Sequence, residues 1–299
     1  MVDTVVLSKE ELTKLQLDNR KQKVLIIGYG KAGKRHAKIA KELGLEVIAY
    51  DNDGRLNDWT DGKHTWIVKQ FDYALSLNPD YAVICTPPET HIDYIIDCNL
   101  AGLKILCEKP LCDLGKVERM SKDEFITSLM LAYNWRYHPL INQLKSSHLP
   151  NYKYRFEFSK HRSPIPTWGL LLDNLSHDLD LARYITGQEF EVVEAQHYKT
   201  QYLESWKVNL SDQFYIVDTV YAYSSPRVDL ISRYVDDVLE STYPLEPDDT
   251  MFYSTWNRFL SGDYMPDLAE GIKTQQLIEQ VDKFARYNEI PSQYNQGNK

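Results

Sequence analysis

Apolar positions in the first 133 residues fall into short runs that alternate with stretches of helical spacing. The runs lie at 24–27, 47–50, 65–68, 81–85, 104–107 and 129–133. Helical patterns extend from the first run to Leu43 and cover 71–75 and 89–101, the last stopped by Gly102. Continuous apolar runs suit strands buried on both faces, and strand–helix alternation predicts a parallel, doubly wound sheet. Beyond residue 135 the period changes. Tyr152, Tyr154, Phe156 and Phe158 alternate with Lys153, Arg155, Glu157 and Ser159, the period of a strand with one buried face. Further strands are predicted at 192–202, 213–223 and 227–234, and helices at 173–185, 249–260 and 270–287. The fold class is therefore α/β: a doubly wound domain over 21–135, then an α+β domain with an open, largely antiparallel sheet over 136–299, its C-terminal helix free to return to the first domain. Residues 1–20 carry the capping pattern Ser8-Lys9-Glu10-Glu11 and are read as a helical arm.

The first strand runs into Gly28-Tyr29-Gly30-Lys31-Ala32-Gly33, with a helical pattern directly behind it. Gly28 allows a tight turn, Gly30 lets backbone approach a pyrophosphate, Gly33 allows close packing of helix on strand, and the helix N-terminus offers N–H donors. The second strand ends at Asp51, near the spacing of about 20 residues expected for a carboxylate that accepts from the adenosine ribose hydroxyls. These features predict a Rossmann dinucleotide site built from Gly28, Tyr29, Gly30, Lys31, Ala32, Gly33, Asp51 and Asn52. The Asp51 carboxylate repels a 2′-phosphate, so NAD is expected over NADP; Arg55 stands close enough to accommodate that phosphate and argues the other way.

Composition narrows the remaining choices. A chain of 299 residues suits two domains, and 43% hydrophobic with 26% charged residues is the balance of a soluble globular protein. No stretch resembles a membrane span or a signal-peptide core, so a cytoplasmic protein without a membrane partner is expected. A formal net charge of -9 argues against nucleic acid. Cys85, Cys98, Cys107 and Cys112 form no Cys-x-x-Cys pair, which reads as reduced core thiols and no metal site.

Four blocks in order, the glycine turn, Cys85-Thr86-Pro87-Pro88-Glu89-Thr90-His91, Cys107-Glu108-Lys109-Pro110-Leu111 and Asp173-Asn174-Leu175-Ser176-His177, resemble the glucose-fructose oxidoreductase, inositol dehydrogenase and rhizopine catabolism (Gfo/Idh/MocA) family. Tyr133-Asn134-Trp135-Arg136-Tyr137-His138-Pro139 looks like the crossover of members that process sugars for surface polysaccharides. The resemblance implies hydride transfer between nicotinamide and a carbinol or carbonyl carbon of a sugar, including nucleotide-linked or acidic sugars. It adds Thr86, Pro87, His91, Glu108, Lys109 and Arg136 to the cofactor's surroundings. The alternatives are reduction of a non-sugar carbonyl or conjugated double bond, and a catalytically silent NAD(H)-binding regulator.

Lys109 follows a strand C-terminus, where ligands meet an open α/β sheet, and an ammonium there can stabilise charge on a substrate oxygen. Asp173 and His177 are four residues apart, so a helix puts both on one face, with imidazole suited to take a hydroxyl proton. The same spacing also fits the solvated face of an ordinary helix, and the resemblance is what favours catalysis. Arg136 reads either as a nicotinamide-end residue or as an ion-pair partner. Lys160, Arg162 and Trp168 are candidate substrate contacts, the cations also being common on exposed strand ends. An open sheet usually needs a cover, which predicts a homodimer or homotetramer.

Overall fold

The computed structural model describes residues 20–52, 65–120, 126–161, 169–211, 214–221, 228–246 and 248–287. The predicted N-terminal arm, Arg55, Arg162 and Trp168 lie outside the described residues. Strands β1 (Lys23–Ile27), β2 (Glu46–Tyr50), β3 (Thr65–Val68), β4 (Tyr81–Ile84), β5 (Lys104–Cys107) and β6 (Leu129–Leu131) form one sheet in the order β3-β2-β1-β4-β5-β6. Every pairing in it is parallel. Val24 to Ile27 and Ala82 to Ile84 are each 0% exposed, because helices cover both sides of the sheet. On one side Leu25, Ile27, Ile48, Ile84 and Ile105 pack with α3 (His91–Leu100) and α2 (Phe71–Ser76). On the other, Val24, Ile26, Val47 and Val83 meet α1 (Lys31–Glu42). The strand order reverses between β1 and β4, and the C-terminal ends of all six strands share one edge.

The second sheet runs β12-β11-β7-β10-β9-β8, built from β7 (Tyr152–His161), β8 (Val192–Lys199), β9 (Leu203–Leu210), β10 (Phe214–Tyr221), β11 (Val228–Val235) and β12 (Val238–Pro244). Only β7 and β10 pair in parallel. Its inner face presents Tyr154, Phe156, Val208, Ile216 and Ile231 to α4 (Pro139–Ser146), α5 (Ser176–Thr186) and α7 (Leu268–Tyr287). The other face carries Lys153, Arg155, Glu157, Lys207 and Asn209. Both sheets have the predicted character. The strand expected over 192–202 ends at Lys199 and turns into β9, and β9, β12 and α4 are elements the hydropathy pattern does not reveal.

Two helices from the end of the chain return to the first sheet. Trp256 and Phe259 of α6 (Thr250–Ser261) complete the core on the α1 side. Leu268 and Ile272 of α7 join the α2–α3 side, whereas Leu277, Ile278 and Val281 of the same helix belong to the second sheet's core. Between the two cores lies a buried ion network. Arg136 donates to Asp180 from Nε at 2.8 Å and from Nη2 at 2.6 Å, and to Glu270 at 3.2 Å, while Arg183 reaches Thr274 at 2.8 Å and Glu270 at 3.3 Å. Arg136, Arg183 and Asp180 are all buried. No helix among the described residues is long and apolar enough to cross a membrane.

Removing one member of such a network strands its partners in a low dielectric, at a cost of about 3–5 kcal/mol. Arg136→Ala is expected to lower the unfolding free energy by that amount, read by urea denaturation.

Candidate functional site at the strand C-termini

The glycine turn is fixed by contacts that tolerate no side chain at two of its three glycines. Gly28 sits at φ +88°, and a Cβ there would lie 2.9 Å from the Cys85 carbonyl carbon and from the Thr86 nitrogen. At Gly33 a Cβ would lie 2.0 Å from the Gly28 carbonyl oxygen, so helix α1 presses directly on the turn. Gly30 is different: among the described residues, nothing lies within 4 Å of where its Cβ would be. None of the described residues demands glycine there, and the space ahead of it is what a diphosphate needs. Helix α1 begins at Lys31 with no side-chain cap, leaving its N-terminal N–H groups and the positive end of its dipole for an anion. Asp51, just past β2, accepts from the Tyr29 N–H at 2.7 Å, which brings the ribose carboxylate candidate against the turn. The residues present therefore fit a dinucleotide.

Across the β1–β4 switch, the hydroxyls of Thr86 and Thr90 are 2.8 Å apart, and Pro87 is exposed. His91 turns its ring nitrogens to the protein itself. Its ring is buried, with Nδ1 2.8 Å from the Pro110 carbonyl and Nε2 2.8 Å from the Thr86 carbonyl, so it clamps the turn after β4 to the turn after β5. Burial lowers its pKa, against the pull of those two carbonyls. Glu108 likewise points into the protein, to His36 Nε2 at 3.0 Å and Arg35 at 3.4 Å. Burial would raise its carboxyl, but the His36 hydrogen bond and the charges of Arg35 and Lys109 hold it below the usual carboxylate range. The Arg136 guanidinium is committed to Asp180 and Glu270, the ion-pair reading of the two the sequence allows.

Lys109 and Asp173 do come together. The Lys109 ammonium donates to the Asp173 main-chain carbonyl and lies 3.4 Å from its Oδ1, with both side chains 13% exposed. The segment carrying Asp173 is not a plain α-helix. Leu171–Leu175 forms a single π turn ahead of α5, so the same-face geometry expected for Asp173 and His177 is altered. His177 is half-buried, and its ring meets the edge of Tyr133 at a centroid distance of 6.2 Å. Lys160 is the last but one residue of β7.

Glu204 is a contributor that sequence reasoning misses. Buried at 2% exposure on β9, it accepts from the Leu170 N–H at 3.1 Å and caps the start of the helical stretch leading to Asp173 and His177. Gly169, at φ +79°, lets it approach: a Cβ there would sit 3.2 Å from the Glu204 carboxylate. His197 at 3.3 Å, Lys199 at 3.2 Å and the Trp206 indole N–H at 3.4 Å also meet it. Burial raises its carboxyl, and the His197, Leu170 and Lys199 interactions outweigh that and bring it to about 2. A cap on a residue 34 positions away has no local signal.

Residues 22–125 match the family model GFO_IDH_MocA, described as an oxidoreductase family with an NAD-binding Rossmann fold. This stretch of the chain is similar to the Gfo/Idh/MocA oxidoreductase family. Among its curated relatives, the myo-inositol 2-dehydrogenase of Thermotoga maritima is 28% identical over 57% of this chain and 56% of its own length. The rhizopine catabolism protein MocA of Rhizobium meliloti is 29% identical over 55% and 57%. The chain thus matches just over half the length of these relatives. The two-sheet fold recurs among solved structures: apo scyllo-inositol dehydrogenase from Lactobacillus casei superposes with a TM-score of 0.75 at 16% identity, covering 90% of this chain and 97% of that one. GenD2 from gentamicin A biosynthesis, solved in complex with NAD, gives 0.74 at 17%, covering 90% and 95%.

Two outcomes follow for the cradle and the cap. Gly30→Ala costs at most about 1 kcal/mol as a helix N-cap yet weakens NADH binding, whereas Gly33→Ala loses more than about 4 kcal/mol or fails to fold; calorimetric titration with NADH beside thermal melting separates them. Because the folded Glu204 carboxyl lies below its unfolded value of about 4.3, the stability it adds is whole above that pH and is lost as pH falls through about 2. Glu204→Gln should flatten that limb of an acid-unfolding curve.

Proposed function

We propose that this protein is an NAD-dependent dehydrogenase of a secondary alcohol in a polyol or sugar, working by direct hydride transfer. The observation that carries the reading is the meeting of Lys109, from the end of β5, with Asp173, from the helix start of the second half, at the strand edge that holds the glycine cradle. Gly28, Gly30, Gly33 and the α1 N-terminus would hold the diphosphate of NAD, and Asp51 the adenosine ribose, which favours NAD over NADP. NAD supplies the hydride acceptor at the carbinol carbon. Lys109 faces the substrate oxygen and stabilises charge on it, and His177 takes the hydroxyl proton. Asp173 holds the Lys109 ammonium in place through its carbonyl and carboxylate.

The inositol dehydrogenases among the relatives support a polyol substrate, and the WlbA (WbpB) dehydrogenase of Thermus thermophilus, solved with NAD and UDP-GlcNAcA, is a fold neighbour at 15% identity and a TM-score of 0.67, covering 87% of this chain and 94% of that one. That neighbour keeps nucleotide-linked acidic sugars in the test. The polar and aromatic outer face of the second sheet suits pairing with a second copy, giving a homodimer or homotetramer.

A panel of inositols, free sugars and nucleotide sugars, followed at the reduced-nicotinamide absorbance, is the direct test. Turnover should appear with a polyol or sugar, and Lys109→Ala and His177→Ala should each lose about 100-fold or more in kcat while keeping NADH affinity. Unchanged turnover in either variant removes that residue's role, and silence across the panel with tight NADH binding favours a regulatory protein.

A further inference from the structure

Lys109 is preceded by a buried carboxylate that the hydride-transfer reading leaves without a task. Glu108 Oε1 is 3.0 Å from His36 Nε2, and His36 Nδ1 is 3.0 Å from the indole Nε1 of Trp256. An indole N–H donates and cannot accept. Trp256 therefore gives its hydrogen to His36 Nδ1, and the single ring proton of His36 must sit on Nε2, where it is given to Glu108. The order of donation, Trp256 to His36 to Glu108, is set by chemistry alone. His36 and Trp256 are each 0% exposed, so the bond between them is shielded from bulk solvent.

A second contact runs beside the first. Arg35 lies with its guanidinium carbon 3.9 Å from the centre of the Phe252 ring and donates to the same Oε1 at 3.4 Å. Neighbouring residues of α1, Arg35 and His36, are thus braced by residues one turn apart on α6, Phe252 and Trp256, and both converge on one oxygen of Glu108. The Glu108 main-chain N–H is itself tied to the Ile84 carbonyl at 2.9 Å. Hydrophobic residues of the same volume would fill this space at lower desolvation cost, so a buried polar chain of fixed direction is there for placement.

We infer that Trp256, His36 and Glu108 form a positioning relay that locks the Lys109 turn to the helix whose N-terminus forms the diphosphate cradle. The cradle and the proposed oxygen-facing lysine then move as one body, with α6 as the outer brace. The consequence for catalysis rests on the proposed role of Lys109; the relay does not. Shifts of about 1 Å in a positioned group cost about 100-fold in rate, so loss of the relay should fall on kcat and leave dinucleotide binding largely intact.

Glutamine can copy both of the His36 bonds, accepting from Trp256 with its carbonyl and donating to Glu108 with its amide, whereas leucine can make neither. His36→Leu should lower kcat about tenfold or more with little change in the KM for NAD, and His36→Gln should restore most of it. Equal kcat in the two variants overturns the relay as a positioning device. Trp256→Phe keeps the core filled and removes only the first donor, so it serves if His36→Leu does not fold; wild-type kcat in Trp256→Phe counts against the relay. Long-range proton–nitrogen spectra of the intact protein at neutral pH should place the His36 proton on Nε2, and a proton on Nδ1 overturns the assignment. Carbon-13 methylation of Lys109 gives a readout free of any substrate: its resonance should shift in Trp256→Phe or His36→Leu and return in His36→Gln. An unmoved resonance refutes the relay, while a shifted one with silence across the alcohol panel leaves the relay standing and removes the dehydrogenase reading.

Discussion

The carbonyl oxygen of Gly28 lies where a side chain at Gly33 would begin, and the rest of the site depends on that contact. Helix α1 can approach the end of β1 only because Gly33 has no Cβ, and its approach sets three things together. It aims the helix N-terminus over the turn, leaves open space at Gly30, and carries Arg35 and His36 to the carboxylate beside Lys109. A single steric allowance thereby controls both where a phosphate is received and where an ammonium is held.

The two halves are joined in two physically different ways. Helices α6 and α7 spread apolar side chains over both cores, a non-directional contribution that scales with buried area. The Arg136–Asp180–Glu270–Arg183 network adds little net free energy for its desolvation cost, but it has one low-energy geometry. Apolar area holds the halves together, while the charges set their angle. Lys109 crosses the same joint to Asp173, so the angle between the halves also sets the geometry of the candidate site.

Features whose causes are local in sequence are legible in it. The glycine turn, Asp51, the unbroken strand runs and the placement of Lys109 at a strand end all depend on residues within one strand–helix unit. Strand β9 is hidden because Glu204 occupies an inward position where alternation calls for an apolar side chain, and the partners that make this tolerable come from Leu170, His197 and Lys199. Strand β12 is an edge whose residues are mostly exposed, so it has no buried face to leave a pattern. His36 reads as an ordinary helix position, since Glu108 and Trp256 lie 72 and 220 residues away. Glu108, His91 and Arg136 carry the right motifs, yet their side chains are used by the protein itself, a choice made by tertiary packing and invisible to spacing.

His91 stands between two carbonyl oxygens, each 2.8 Å from one of its nitrogens, and burial favours its neutral form. A neutral imidazole has one N–H to give. At any moment the ring can bind the Thr86 turn or the Pro110 turn, and the other carbonyl then faces a lone pair. Beside Lys109, the turn after β4 and the turn after β5 therefore share one hydrogen between them.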